Sequence, residues 1–256
     1  MRVFLKVCFM LACLSLSACN QGVVPGENAN PYSETNEIAE SNFKLGVAYL
    51  KNGNYEKALE KLTKSIRADS RYGPAYNALG VLYEKIGQMD KAEDNFKKAL
   101  SLNKSDSSTL NNYGLFLCQN GRFEEAENTL LQAANNPLYE TPEIAYANMA
   151  ICYLKQDRKD EAEKYFRTAL DLNPRLPTAL IHMCEISYNQ NNYLSARAYL
   201  QRYLEVAKHT PKSLWLGIRI ENELGNQDAL SSYSLLLKNN FPDSEEAKLL
   251  KQSGLK

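Results

Sequence analysis

The chain has 256 residues, with 30 basic and 30 acidic side chains and a hydrophobic content of 44%. This balance excludes a strongly basic nucleic-acid-binding protein and gives no reason to expect attraction to an anionic bilayer surface. After Cys19 the sequence has no apolar run long enough to span a membrane, so the remainder is expected to fold as a packed domain.

Residues 1–18 have the pattern of a secretory signal peptide. Arg2 and Lys6 supply positive charge, residues 7–16 are almost entirely apolar, and two small residues follow. Leu16-Ser17-Ala18-Cys19 resembles the bacterial lipobox, which implies cleavage before Cys19 and attachment of lipid to this residue. The alternative is an ordinary signal peptide cleaved nearby, with Cys19 uninvolved.

The residue after Cys19 indicates which of the two bacterial membranes would hold the lipid anchor. In bacterial lipoproteins that resemble this chain, Asp at that position favours retention in the inner membrane, whereas here it is Asn20. The resemblance therefore implies a lipid anchor in the outer membrane, with the domain on the periplasmic side.

Residues 19–36 are rich in Gly, Pro, Asn, Ser and Glu. Pro25-Gly26 and Asn30-Pro31 interrupt regular structure. This composition predicts a flexible tether between the lipid and the fold.

Residues 37–243 carry a period of 34 residues. Leu45-Gly46, Leu79-Gly80 and Tyr113-Gly114 are one period apart, and Met149-Ala150 and Met183-Cys184 continue the series. Such a period predicts stacked helix pairs, whereas an ordinary helical bundle would not need it. We place about six repeats at 39–72, 73–106, 107–142, 143–176, 177–209 and 210–243, and a capping helix or tail at 244–256.

The repeated residues resemble the tetratricopeptide repeat. Each repeat has a small residue in its first helix (helix A), followed by an alanine in its second (helix B), at Ala58, Ala92, Ala126, Ala162, Ala196 and Ala229. The small residues are expected to let the two helices approach closely. The resemblance implies an all-α fold, a tetratricopeptide repeat superhelix that binds other polypeptides.

The family's register assigns four positions of each helix A to a concave groove. In the first four repeats these are Glu40, Phe43, Val47, Leu50; Pro74, Asn77, Val81, Glu84; Ser108, Asn111, Leu115, Cys118; and Ile144, Ala147, Ile151, Leu154. Phe43, Val47 and Leu50 are apolar where packing within the solenoid does not demand it, which favours a binding site. Asn77, Val81 and Asn111 complete the predicted protein-binding groove. The alternative is that the helix around Glu37, or the tether, covers the apolar residues.

Three cysteines remain beyond Cys19. Cys118 and Cys152 fall on helix A of neighbouring repeats, so they are either a disulfide or two buried free thiols. Cys184 takes the small-residue position and is expected to pack in the core. His182 and His209 form no metal-ligand motif, and no nucleophile or phosphate-loop motif is present, so we expect no enzyme activity, no metal and no cofactor other than the lipid on Cys19.

The whole layout resembles the PilF/PilW family of type IV pilus biogenesis lipoproteins. This resemblance rests on the lipobox, the short tether, the six repeats and the Cys118/Cys152 pair, which resembles the bridged pair of some members. The resemblance implies a pilotin that binds the pilus secretin and supports its localisation and assembly. Two alternatives are a periplasmic adaptor for cell-wall enzymes or outer-membrane protein assembly and, far less favoured, a peptidase or cell-wall hydrolase.

Overall fold

The described part of the protein consists of helices. The computed structural model of the chain describes residues 31–255, with side chains from Asn36 onward, and the predicted signal peptide and Cys19 lie outside it. Within this range there are thirteen α-helices and no strand. They are α1 (Pro31–Lys51), α2 (Tyr55–Ala68), α3 (Gly73–Lys85), α4 (Met89–Leu102), α5 (Ser107–Gln119), α6 (Phe123–Ala134), α7 (Pro142–Lys155), α8 (Lys159–Leu172), α9 (Pro177–Asn189), α10 (Tyr193–Leu204), α11 (Pro211–Glu223), α12 (Gln227–Asn240) and α13 (Glu245–Ser253).

Consecutive helices form pairs, and the pairs stack in chain order. The odd-numbered helices α1 to α11 are the A helices and their successors α2 to α12 are the B helices; each A helix contacts its own B helix and the next A helix follows against that B helix. The predicted tetratricopeptide repeat superhelix is confirmed, with all six predicted helix pairs present.

The turn within each pair places one residue in the left-handed region. These residues are Gly53, Gly87, Gly121, Asp157, Asn191 and Gly225, with φ between 56° and 77°. Glycine adopts this conformation freely, and Asn and Asp are the side chains that tolerate it best. Each repeat therefore carries, at its turn, a residue type that tolerates this conformation.

In the first three helix pairs, a glycine on helix A faces a large residue on helix B. Gly46 faces Leu62 and Gly114 faces Leu130: a Cβ atom added at Gly46 would lie 2.7 Å from Leu62 Cγ, and one at Gly114 would lie 2.6 Å from Leu130 Cγ. The two helices are therefore closer than any larger residue would permit, as the sequence predicted.

The first helix begins earlier than the sequence indicated. α1 starts at Pro31, so residues 31–36, which we assigned to the tether of residues 19–36, are helical. Proline is well suited to the first position of a helix, because the N–H it lacks would have no partner there. Ala39 is fully buried and fixes this extended helix on the stack.

The last helix covers the end of the stack. Ser244 caps the N-terminus of α13, and its side chain accepts a hydrogen bond from the backbone N–H of Ala247. Ala247 and Leu250 pack on α11 and α12. The capping helix predicted for residues 244–256 is thus present at 245–253.

Candidate protein-binding groove

The A helices line the inner surface of the stack, because α1 contacts α3, α3 contacts α5 and α5 contacts α7. Along this surface a half-buried aliphatic side chain recurs once in each of the first four repeats. We call these residues the aliphatic ladder: Val47, Val81, Leu115 and Ile151. The equivalent residue of the fifth repeat is Glu185, so the ladder ends there.

The first repeat widens the apolar surface. Phe43, Val47 and Leu50 are each half-buried and pack partly against the core cluster of the first two repeats, which contains Ala58, Leu62, Ala78, Leu79 and Leu82. The Phe43 ring also meets Tyr72 edge-on, with 5.6 Å between ring centroids. Packing thus accounts for one side of each residue, contrary to the expectation that it demanded none, and the other side remains open to a ligand.

The predicted asparagines bridge neighbouring A helices. Asn112 donates to Asn77 Oδ1 at 3.0 Å, and Asn148 donates to Asn111 Oδ1 at 2.9 Å. Asn111 is only 7% exposed, so its assignment to the open groove is wrong. The A helices are close enough at this level for the next helix to cover the amide. Asn77 remains half-exposed.

A disulfide joins α5 and α7, the A helices that the Asn111–Asn148 hydrogen bond also links. Cys118 on α5 and Cys152 on α7 are linked, with their Cα atoms 5.7 Å apart. Both are buried, at 1% and 3% exposure. Together with the Asn111–Asn148 hydrogen bond, the disulfide fixes α5 against α7 at two levels, which holds this part of the groove rigid.

One acidic side chain lies in the groove wall. Glu84 on α3 occupies the position that Leu50 has in the first repeat and Cys118 in the third. Burial raises the pKa of the Glu84 carboxyl, because removal from water disfavours its charged form. A basic group on a ligand would relieve this cost, so the groove combines apolar contacts with one site for a positive charge.

The groove closes toward the C-terminus. Leu214 and Ile218 on α11 occupy groove positions, yet both are 0% exposed, because they pack against Ala247 and Leu250 of α13. The last repeat therefore uses its inner face to hold the capping helix. The open surface runs along the first four repeats.

The histidines serve packing. His182 stacks on Phe166 with 5.1 Å between ring centroids. His209 contacts the edge of Tyr233, and burial lowers its pKa. No group of three or more His, Cys, Asp or Glu side chains in the described range could hold a metal ion.

The repeats are similar to those of known proteins. Models of the tetratricopeptide repeat match residues 37–105, 95–128 and 144–176. Over 249 residues the chain is 30% identical to the type IV pilus assembly protein PilF of Pseudomonas aeruginosa, covering 96% of this chain and 97% of that protein. The chain belongs to the PilF family.

Solved structures agree with this assignment. The structure of Pseudomonas aeruginosa PilF matches with a TM-score of 0.75 at 30% identity, covering 86% of this chain and 99% of that one. The structure of PilW, described as a widely conserved type IV pilus biogenesis factor, matches with a TM-score of 0.73 at 28% identity, covering 84% and 99%. The resemblance to the PilF/PilW family drawn from the sequence is therefore confirmed.

In this member of the PilF family, sequence reasoning missed two features of the groove. The pairing of Asn77 and Asn111 with the asparagines of the next repeat was not foreseen, although all four fall on A helices one period apart. The burial of Leu214 and Ile218 under α13 was also missed.

Within the described residues, no helix is both long enough and apolar enough to cross a membrane.

Proposed function

We propose that this protein is an outer-membrane lipoprotein that acts as a pilotin, binding a segment of the pilus secretin and supporting its assembly in type IV pilus biogenesis. Its relatives PilF and PilW carry names that place them in pilus assembly and biogenesis. The observation that carries the binding role is the aliphatic ladder, which offers four half-buried side chains in a row along one surface.

The groove favours a particular kind of ligand. Covering half-exposed aliphatic side chains contributes about 25 cal/mol for each Å² of apolar surface removed from water. An amphipathic helix or an extended peptide can place apolar side chains against Val47, Val81 and Leu115 at once. A Lys or Arg of that segment would pair with Glu84, whose charged form is disfavoured by burial.

The lipid supplies the second part of the mechanism. Cys19, which lies outside the described residues, would carry the lipid and fix the domain to the periplasmic face of the outer membrane. Several acyl chains on one residue anchor a protein stably. Holding the groove at the membrane raises the local concentration of bound secretin segments, which favours ring formation without any chemical step.

The groove is tested by two substitutions and a control in cells. Val81→Asp and Leu115→Asp each place a charge in the ladder and should reduce secretin multimers and surface pili. Leu194→Asp is the matched control, because Leu194 is an apolar residue of α10 with 68% exposure outside the groove. Thermal melting of the purified variants shows whether each still folds. Normal multimers and pili in folded variants of both ladder residues would contradict the proposal.

The partner is identified by a photo-crosslinking amino acid at Val47, followed by mass spectrometry. Secretin peptides are the expected products. Recovery of cell-wall enzymes or of outer-membrane assembly factors would instead support the periplasmic adaptor. Cys19→Ser should release the protein from the outer-membrane fraction, whereas the parent stays in it.

A further inference from the structure

The first helix carries an apolar stripe on the side away from the rest of the stack. Ile38 and Leu45 are 48% and 46% exposed, and Ser41 and Ala48, which lie between and beyond them, are also exposed. The four residues alternate in spacing of three and four, so they form one continuous seam along α1. We call them the outer stripe.

The same positions are buried in the repeats that follow. In the second repeat Ala75, Leu79 and Leu82, the equivalents of Ser41, Leu45 and Ala48, are at most 3% exposed. Leu79 and Leu82 pack with Ala58 and Leu62 of α2, the B helix of the preceding repeat. The third repeat does the same, with Tyr113 and Phe116 packed on Phe96. The outer stripe therefore continues an established interface of the fold, and in the described residues nothing lies on it.

The charges beside the outer stripe indicate what covers it. Glu37, Lys44 and Lys51 recur every seventh residue along one edge, and all are exposed. This is the arrangement by which paired helices choose a partner and an orientation. We propose that α1 pairs antiparallel with α1 of a second copy of this chain about a twofold axis.

The side chains fit this arrangement in both size and charge. When Ser41 of one copy lies opposite Leu45 of the other, Ile38 lies opposite Ala48, so each large residue meets a small one. The acidic Glu37 of each copy then lies beside the basic Lys51 of the other. Lys44 lies near the axis, where its charge is offset by Glu40 of its own helix at 2.6 Å.

Cross-linking of the full-length protein in cells tests the pairing. Lys44→Cys should give a disulfide-linked homodimer on mild oxidation, because the two copies of this residue meet at the axis. Lys64→Cys is the matched control: Lys64 is also exposed and also paired with a glutamate four residues earlier, Glu60, but lies on α2. Cross-linking suits this interface, because stable dimers bury about 1,200–2,000 Å² and the stripe is short. The dimer yield of Lys44→Cys should exceed that of Lys64→Cys several-fold.

Charge exchange distinguishes the orientation. In the Lys44→Cys background, Glu37→Lys and Lys51→Glu should each lower the dimer yield, because each opposes like charges across the interface. The double exchange should restore the dimer yield. A parallel arrangement would not allow this, because residue 37 of one copy would then lie opposite residue 37 of the other. Leu45→Glu should abolish the dimer, whereas Leu45→Met should keep it.

Several outcomes would overturn the proposal. Equal dimer yields for Lys44→Cys and Lys64→Cys, or cross-links from position 44 to another protein only, would show that a different partner or the chain's own residues 19–30 cover the stripe. Failure of the double exchange to restore the yield would exclude the antiparallel pairing. These readouts are independent of secretin assembly, so they stand or fall apart from the proposed function.

Discussion

Gly80 on α3 lies directly against the ring of Phe96 on α4: a Cβ atom added to Gly80 would stand 2.6 Å from Phe96 Cε1. Non-bonded carbon atoms essentially never approach to this distance. Because glycine has no side chain, the Phe96 ring packs directly on the backbone of α3 and sets the distance between the helices of the second repeat. The equivalent contact recurs along the stack.

Gly80→Ala is expected to destabilise the protein more than Gly73→Ala on the same helix. The first variant overpacks a filled contact, at a typical cost of about 1–3 kcal/mol. At Gly73 the nearest atoms of other helices to a new Cβ are 3.9 Å away or more, so alanine overpacks no contact there, and its cost is limited to the conformational restriction before Pro74. Urea denaturation of both variants measures the difference. Equal midpoints would show that the helices separate at no cost.

Removing the disulfide should lower stability without changing the fold. The Cys118→Ser, Cys152→Ser double variant is expected to lose about 3–4 kcal/mol, the chain-entropy value for a loop of this length. The melting temperature of the parent should fall on addition of reductant, while that of the double variant should not respond. The remaining thiol of Cys184 should not disturb this measurement, because burial raises its pKa to about 12 and keeps it unreactive. A parent that melts identically with and without reductant would contradict the prediction.

The buried ion pair of Arg197 and Glu221 should respond asymmetrically to substitution. The Glu221 side chain is 4% exposed and that of Arg197 is 28% exposed. Arg197→Met leaves a buried carboxylate without its partner, which costs about 3–5 kcal/mol. Glu221→Gln costs less, because the arginine can turn toward water. Comparing the free energies of unfolding of the two variants by urea denaturation checks this order, and a reversed order would be incompatible with it.

Acid should weaken the junction of the second and third repeats through Glu93. Lys97 and Arg122 donate to its carboxylate at 2.8 and 2.7 Å and lower its pKa to about 2, while Tyr113 donates at 2.9 Å. Because the pKa is lower than the value of about 4.3 in the unfolded chain, the contribution is complete above that pH and is lost as the pH falls toward 2.

Glu93→Gln should therefore be less stable than the parent at pH 6, with the difference shrinking as the pH falls through this window. Glu124→Gln, at an exposed glutamate of α6, is the control and should change little. Free energies of unfolding at a series of pH values provide the measurement. A difference that does not depend on pH would show that the carboxylate of Glu93 is not held in its charged form.

The sequence predicted what repeats regularly. The helix pairs, the turns, the tight contacts at Gly46, Gly80 and Gly114 and the proximity of Cys118 to Cys152 all follow from one period, because each repeat packs against its neighbours in the same way. The register also assigned Phe43, Val47 and Leu50 to the groove, and the structure shows each of them half-buried beside the core of the first two repeats. The same register placed Asn111 in the open groove, although Asn111 is buried, because a register cannot show how closely the next helix approaches.

The amino-acid sequence by itself determined the all-α repeat architecture, its spacing and the family to which the chain belongs, because these depend on local helix signals and on contacts that recur every 34 residues. Only the tertiary structure decided where the regular pattern is broken: α13 fills the inner face of the last repeat, and Leu45 stands exposed where its equivalents are buried. The physical reason is that burial depends on which helix lies alongside. At the two ends of a stack that neighbour is absent or different, which no repeating signal records.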